Sequence, residues 1–191
     1  MCIMFYIYAL IRTTKMMKKL FIAVFLFTSL AGYSQEKTYH EQVLRYFQVN
    51  GTADQYSNAT NGLFDLLKNQ YASKNVPDAV WNELKTETPK QVDRILNMLV
   101  SAYRGNYNQE DIQNMLAFYE TGAGRQMLTD KTALDYEQQK EVTVFYNTPT
   151  GQKILTVEPD IAQNIGEISE IWSRDLYRMM VDKLAEKGYT M

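Results

Sequence analysis

Apolar residues recur along most of this chain at intervals of three and four, and no long stretch alternates apolar with polar residues. That spacing lines one face of an α-helix, whereas alternation would mark a half-buried strand. The pattern predicts a helix over 39–49 with Val43, Leu44 and Phe47 on one face, stopped by Asn50-Gly51. Thr52-Ala53-Asp54-Gln55 reads as a capping box, in which each end residue covers an amide that the first turn leaves unpaired. The helix it opens carries Tyr56, Leu63, Leu67 and Tyr71, and a short helix near 77–87 presents Val80, Trp81 and Leu84. Thr88-Pro89-Lys90-Gln91 reads as a second box, with proline at the first helical position, where its missing N–H costs nothing. Val92, Ile95, Leu96, Leu99 and Tyr103 line that helix as far as Gly105. Asn108-Gln109-Glu110-Asp111 caps the next, which turns Ile112, Met115, Leu116 and Tyr119 inward.

Further helices are expected over 122–129, 131–147 and 149–157. After Pro159, with Asp160 as its cap, a long last helix is marked by Ile161, Ile165, Ile168, Trp172, Leu176, Met180 and Leu184. Its other face is charged: Glu167, Glu170, Arg174, Asp175, Arg178 and Asp182. The expected fold class is therefore all-α, a single multi-helix domain of about seven to nine helices.

The first 34 residues follow a different rule. Met16-Met17-Lys18-Lys19, the apolar run Leu20–Ala31 and then Gly32-Tyr33-Ser34 give a basic start, a short apolar core and small residues at a cleavage site. A spanning helix wants about 20 apolar residues, so 1–34 reads as a cleaved signal peptide, with Gln35 as the new N-terminus. Residues 1–15 are odd in that role, and translation from Met16 or Met17 is the alternative. The domain is then 35–191, and the protein is expected to be periplasmic or secreted. It would meet a membrane only through an uncleaved leader.

Losing that segment changes the charge. Four of the 20 basic residues and none of the 22 acidic ones lie in 1–34, so the remainder has 16 against 22, a net charge of −6. A mildly acidic domain offers no electrostatic footprint for nucleic acid. The sole cysteine, Cys2, leaves as well, and with it any disulfide or thiolate metal site.

One element occurs twice. Phe118-Tyr119-Glu120-Thr121-Gly122-Ala123-Gly124-Arg125-Gln126-Met127-Leu128 aligns with Phe145-Tyr146-Asn147-Thr148-Pro149-Thr150-Gly151-Gln152-Lys153-Ile154-Leu155, 27 residues on. Phe-Tyr closes one helix with two large anchors, Thr121 or Thr148 caps the next, and Pro149 or Gly122 takes its first position. Gly124 and Gly151 fall in that first turn, where glycine costs about 1 kcal/mol of helix propensity. Close approach of the preceding aromatic pair or of a neighbouring helix is the offset expected. The element therefore reads as a helix-to-helix corner with almost no loop, stiffer in the copy that has Pro149.

The segment Phe145-Tyr146-x-Thr148-Pro149-x-Gly151-Gln152-Lys153, with an amphipathic helix before it and a long one after, resembles the bacterial family called domain of unknown function 2059. Tyr103, Asn108-Gln109-Glu110-Asp111 and Leu116 resemble its lead-in helix, and the likeness covers residues 90–185. The family's motif has serine where this chain has Thr148, and Gly122 marks the first copy as degenerate. The resemblance implies an exported helical protein and no particular activity.

Catalytic constellations are sparse. His40 is the only histidine, which removes the usual helical zinc spacings and any Ser-His-Asp site. Glu137/Glu141 and Glu167/Glu170 stand one turn apart, as acids on solvated faces commonly do. No cofactor or metal is expected. Tyrosines at helical spacing read as core, and the other reading is a tyrosine-lined groove for a peptide or glycan. Were the corners not structural, Tyr119, Tyr146, Arg125 and Lys153 would be the binding candidates. The expected function is a non-enzymatic interaction module of the bacterial envelope, whose partner is another envelope protein. The alternatives are an envelope hydrolase using carboxylates and tyrosines, and a small-ligand carrier.

Overall fold

The computed structural model describes residues 38–190, and the leader with its cleavage site lies outside the described residues. The compact unit that carries the core begins at Gln42. Among the described residues the chain is all-α, with no strand. Helix α1 covers 38–49. Then come α2 (Thr52–Gln70), a 3-10 turn (Ala72–Lys74), α3 (Asp78–Lys85), α4 (Thr88–Arg104), α5 (Gln109–Tyr119), α6 (Gly122–Thr129), a second 3-10 turn (Lys131–Ala133), α7 (Tyr136–Tyr146) and α8 (Pro149–Glu186). No helix among the described residues is long and apolar enough to cross a membrane.

The core forms where α4 packs between α2 and α8. Phe64 and Leu67 of α2, Ile95 and Leu99 of α4, and Trp172, Leu176, Met180 and Leu184 of α8 are all buried. Each such side chain contributes about 1.5–3 kcal/mol on leaving water. Two polar contacts join helices across this core. The Trp172 indole N–H donates to the Gln91 carbonyl at 3.1 Å, and the Tyr56 hydroxyl lies 2.6 Å from Ser169 Oγ.

Four expectations at helix ends are corrected. Thr52 is the first residue inside α2 and caps nothing: Gly51, with φ 80°, holds the cap position, and the Asn50 side chain accepts from the Thr52 N–H. Thr88 is no cap either, because Glu87 precedes it in helical conformation. A capping residue needs extended backbone, and the Thr88 hydroxyl is instead buried with no hydrogen-bond partner among the described residues. The helix expected over 131–147 is broken by an extended Leu134 and restarts at a capping box formed by Asp135 and Gln138.

The fourth correction concerns Pro159, which lies inside one 38-residue helix rather than between two, so Asp160 is a mid-helix residue. A helical proline frees the carbonyl four residues earlier, here that of Leu155. Both Leu155 and Pro159 are exposed, so water can take the place of the lost bond.

Candidate functional site

The two corners are built alike. Thr121 and Thr148 are extended, at φ −76°, ψ 169° and φ −74°, ψ 161°. Their hydroxyls accept from Gly124 N–H and Gly151 N–H, both at 3.1 Å. A Cβ on Gly124 would stand 2.7 Å from Tyr119 Cα, and one on Gly151 would stand 2.5 Å from Tyr146 Cα. The end of each preceding helix thus lies directly against the first turn of the next, in contact with its glycine. That is the close approach expected of the glycines. Gly122 has nothing within 4 Å, so its position needs no glycine and Pro149 fits the equivalent one.

The repeat runs further upstream than the matching residues suggest. Helices α5 and α7 are both eleven residues long, and each starts at a capping box, Asn108 with Asp111 and Asp135 with Gln138. These pairs are again 27 residues apart. The copies meet through their aromatic anchors: the Phe118 and Phe145 rings stack with centroids 4.0 Å apart and planes 1° from parallel. Tyr119 and Tyr146 stand edge-on beside their own phenylalanines at 5.1 and 5.3 Å.

Asp111 breaks the likeness between copies. Its buried carboxylate accepts from the Asn108 N–H at 2.9 Å, the Thr150 hydroxyl at 3.2 Å and the Lys153 ammonium at 2.5 Å. The Asn114 side-chain amide donates to Thr150 Oγ1 at 3.0 Å. This network ties the start of α5 to the start of α8. The equivalent residues in the other copy are Gln138, Ala123 and Gln126, which supply no ion pair. Lys153 is thus committed to Asp111, while Arg125 is exposed and donates to the Glu120 carbonyl at 2.6 Å.

Burial by itself would raise the Asp111 pKa, but the Lys153 ammonium, the Asn108 N–H and the Thr150 hydroxyl reverse that and hold it below its ordinary value. A depressed carboxylate pKa contributes stability above its unfolded value and loses it as pH falls through the folded one. Asp111→Asn should therefore cost about 1–2 kcal/mol at neutral pH, the lower side of a charged hydrogen bond because Lys153 is partly solvated. Below about pH 4 the gap between wild-type and variant melting temperatures should narrow progressively as pH falls. Thermal melts from about pH 6 down to about pH 2 measure this, and a gap that does not change over that range would show that the charge contributes nothing.

Beside the corners lies a cavity of about 290 Å³, lined by Tyr46 of α1, Tyr103 of α4, Tyr107 of the α4–α5 loop, Tyr119 of α5 and Tyr146 of α7. Met115 and, from α8, Ile154, Glu158, Ile161 and Ile165 complete much of its wall. It reaches the surface at Leu155, Glu158 and Ala162, which are exposed. The Tyr46 ring lies 5.7 Å from Tyr103 and 5.8 Å from Tyr119, and the Tyr103 ring lies 5.6 Å from Tyr107.

Burial, and then neighbouring tyrosines, push the Tyr46, Tyr103 and Tyr119 phenols well above their ordinary value. The Tyr107 phenol is pushed up to about 12 by burial and then by the Asp111 and Glu158 carboxylates. These four groups are neutral phenols at any physiological pH. They can donate and accept hydrogen bonds, and they are poor nucleophiles.

The sequence points to Tyr119 and Tyr146 but not to Tyr46, Tyr103, Tyr107 or Glu158 as lining residues. Their signal is the abundance of tyrosine, 14 in the chain; which hydroxyls converge depends on helices far apart in sequence. The two candidate acid pairs, Glu137/Glu141 and Glu167/Glu170, lie on exposed helix surface, outside this cavity. Among the described residues no group of three or more His, Cys, Asp or Glu side chains could hold a metal ion.

The model of a family described as an uncharacterized protein conserved in bacteria, domain of unknown function 2059, matches residues 93–136 and 131–178. Over this stretch the chain is similar to that family. It holds both corners, the Asp111 network and every tyrosine of the cavity except Tyr46. The resemblance read from the second corner is therefore to the right family. No curated protein and no solved structure matches the chain.

Proposed function

We propose that this protein is an exported, non-enzymatic binding module of the bacterial envelope, and that the tyrosine-lined cavity is its binding site. Export rests on the leader pattern in residues 1–34. The observation that carries the binding reading is the convergence of five tyrosines from five different elements on one cavity that opens to solvent. Rings with a polar tip suit a pocket that must hold a ligand by apolar contact and orient it by a few hydrogen bonds. A cavity of about 290 Å³ lies near the lower end of small-molecule sites, roughly 300–1,000 Å³. This favours the small-ligand reading over docking of a whole protein face.

Hydrolysis by paired acids draws no support from the geometry. Such chemistry needs two carboxylates facing one bond. Among the described residues that line the cavity, Glu158 is the only acid. Asp111 nearby is held ionised in its own network, which suits it to structure rather than to acid catalysis.

Native mass spectrometry of the protein released from the envelope of its host tests both halves of the proposal. The chain mass should correspond to an N-terminus at Gln35, and a small non-covalent adduct should accompany the wild type and be absent from Ala162→Trp, which fills the mouth. An intact leader overturns export. A wild type that carries no adduct, and whose melting temperature no amine, oligosaccharide or short peptide raises, overturns the binding reading.

A further inference from the structure

The charge and aromatic content of the cavity specify its ligand more narrowly. Among the described residues that line it, Glu158 carries the only charge, and no lysine, arginine or histidine faces it. Lys153, which stands on the same helix, has its ammonium bound to Asp111. An anionic ligand would thus meet Glu158 with no cation to offset it, at a cost that grows as the site excludes water. A cation would meet one carboxylate at the mouth and several tyrosines in the wall, and aromatic rings attract ammonium groups through their faces. Size sets the other bound: at about 30 Å³ for each water-sized group, the cavity's 290 Å³ takes a ligand of roughly ten heavy atoms.

We propose that this cavity binds a small free organic ammonium compound, with its cationic head between Glu158 and the rings of Tyr103 and Tyr107 and its apolar part against Ile161 and Ile165. The proposal rests on the cavity being the binding site and adds the chemical class of its occupant. Neutral apolar ligands would leave Glu158 unused.

The test compares choline with 3,3-dimethyl-1-butanol, which has nearly the same shape and no charge, and with N-acetyl-lysine N-methylamide. Each is titrated calorimetrically into the exported protein. Choline should bind about tenfold or more tightly than the alcohol, and Glu158→Gln, at an exposed position, should reduce that ratio to about twofold. Tyr107→Phe should keep the preference and Tyr107→Leu should weaken it, because the proposed contact is with the ring and not with the hydroxyl. Equal binding of choline and the alcohol overturns the charge assignment and leaves the cavity as the binding site. Tighter binding of the lysine amide than of choline assigns the cation to a partner's side chain and overturns the free-ligand proposal. No heat with any of the three, from a protein whose circular dichroism shows it folded, overturns the ammonium proposal. In that event the Ala162→Trp comparison decides separately whether the cavity binds anything.

Discussion

Gly151→Ala is expected to destabilise the protein by about 3 kcal/mol, the upper end for overpacking, and to lower the melting temperature by roughly 6–12 °C. Helix propensity predicts the opposite sign, since alanine is the better helix former by about 1 kcal/mol. The reversal comes from backbone. The added methyl would stand 2.5 Å from Tyr146 Cα and 2.8 Å from Tyr146 C, and neither atom can turn aside as a side chain can. Relief would require α7 and the first turn of α8 to part, and the bond from Gly151 N–H to Thr148 Oγ1 would be strained with them. Gly166, inside the same helix, has nothing within 4 Å, so Gly166→Ala should follow propensity and stabilise by about 0.5–1 kcal/mol. Melting the two variants side by side separates crowding from propensity. Equal shifts of one sign would mean that the corner does not constrain its glycine.

Gly124→Ala should behave like Gly151→Ala. Its Cβ would stand 2.7 Å from Tyr119 Cα and 2.8 Å from Phe118 C. The sequence predicts a more tolerant first copy, because Gly122 replaces proline. The glycine contacts argue for equal sensitivity, since crowding at the third helical position is the same with or without Pro149.

The second large effect concerns the stacked rings. Phe118 and Phe145 are buried at 6% and 8% exposure, and truncating either to alanine should cost about 3–5 kcal/mol. Removing both should cost less than the sum, because each ring is the other's partner at 4.0 Å. A coupling of about 0.5–1.5 kcal/mol is the expected scale for such a pair. Urea denaturation of the wild type, the two single variants and the double variant gives the four free energies required. Strict additivity would show that the stack stabilises nothing beyond the burial of each ring alone.

The helices are legible in the sequence because the pattern is amphipathic nearly throughout. Ile95, Leu99, Ile112, Met115, Trp172, Leu176, Met180 and Leu184 all fall on the inward face by spacing, and all are buried. Helix ends are less legible. A threonine three residues before a glutamine can cap only if its own backbone is extended. Glu87 leads into Thr88 in helical conformation, and Gln91 is turned inward to meet α8, its carbonyl accepting from Trp172. Asp135-Tyr136-Glu137-Gln138 has the same spacing and does form a box, so spacing alone does not tell a true cap from a false one. Pro159 marks a boundary only by propensity, and the solvated face on which it lies removes most of the cost of keeping the helix whole.

Fold class, the inward faces of the helices, the family resemblance and the design of each corner can all be read along the chain, because they depend on residues within a turn or two of one another. Helical spacing, a capping threonine and a glycine in the first turn are local facts. Only the packed molecule shows that the two corners meet ring on ring, that Asp111 of α5 holds Lys153 of α8, and that tyrosines from residue 46 to residue 146 share one cavity. Each of these joins side chains from separate helices. Their meeting depends on how the helices cross, which is set by packing over the whole core rather than by any pattern along the chain.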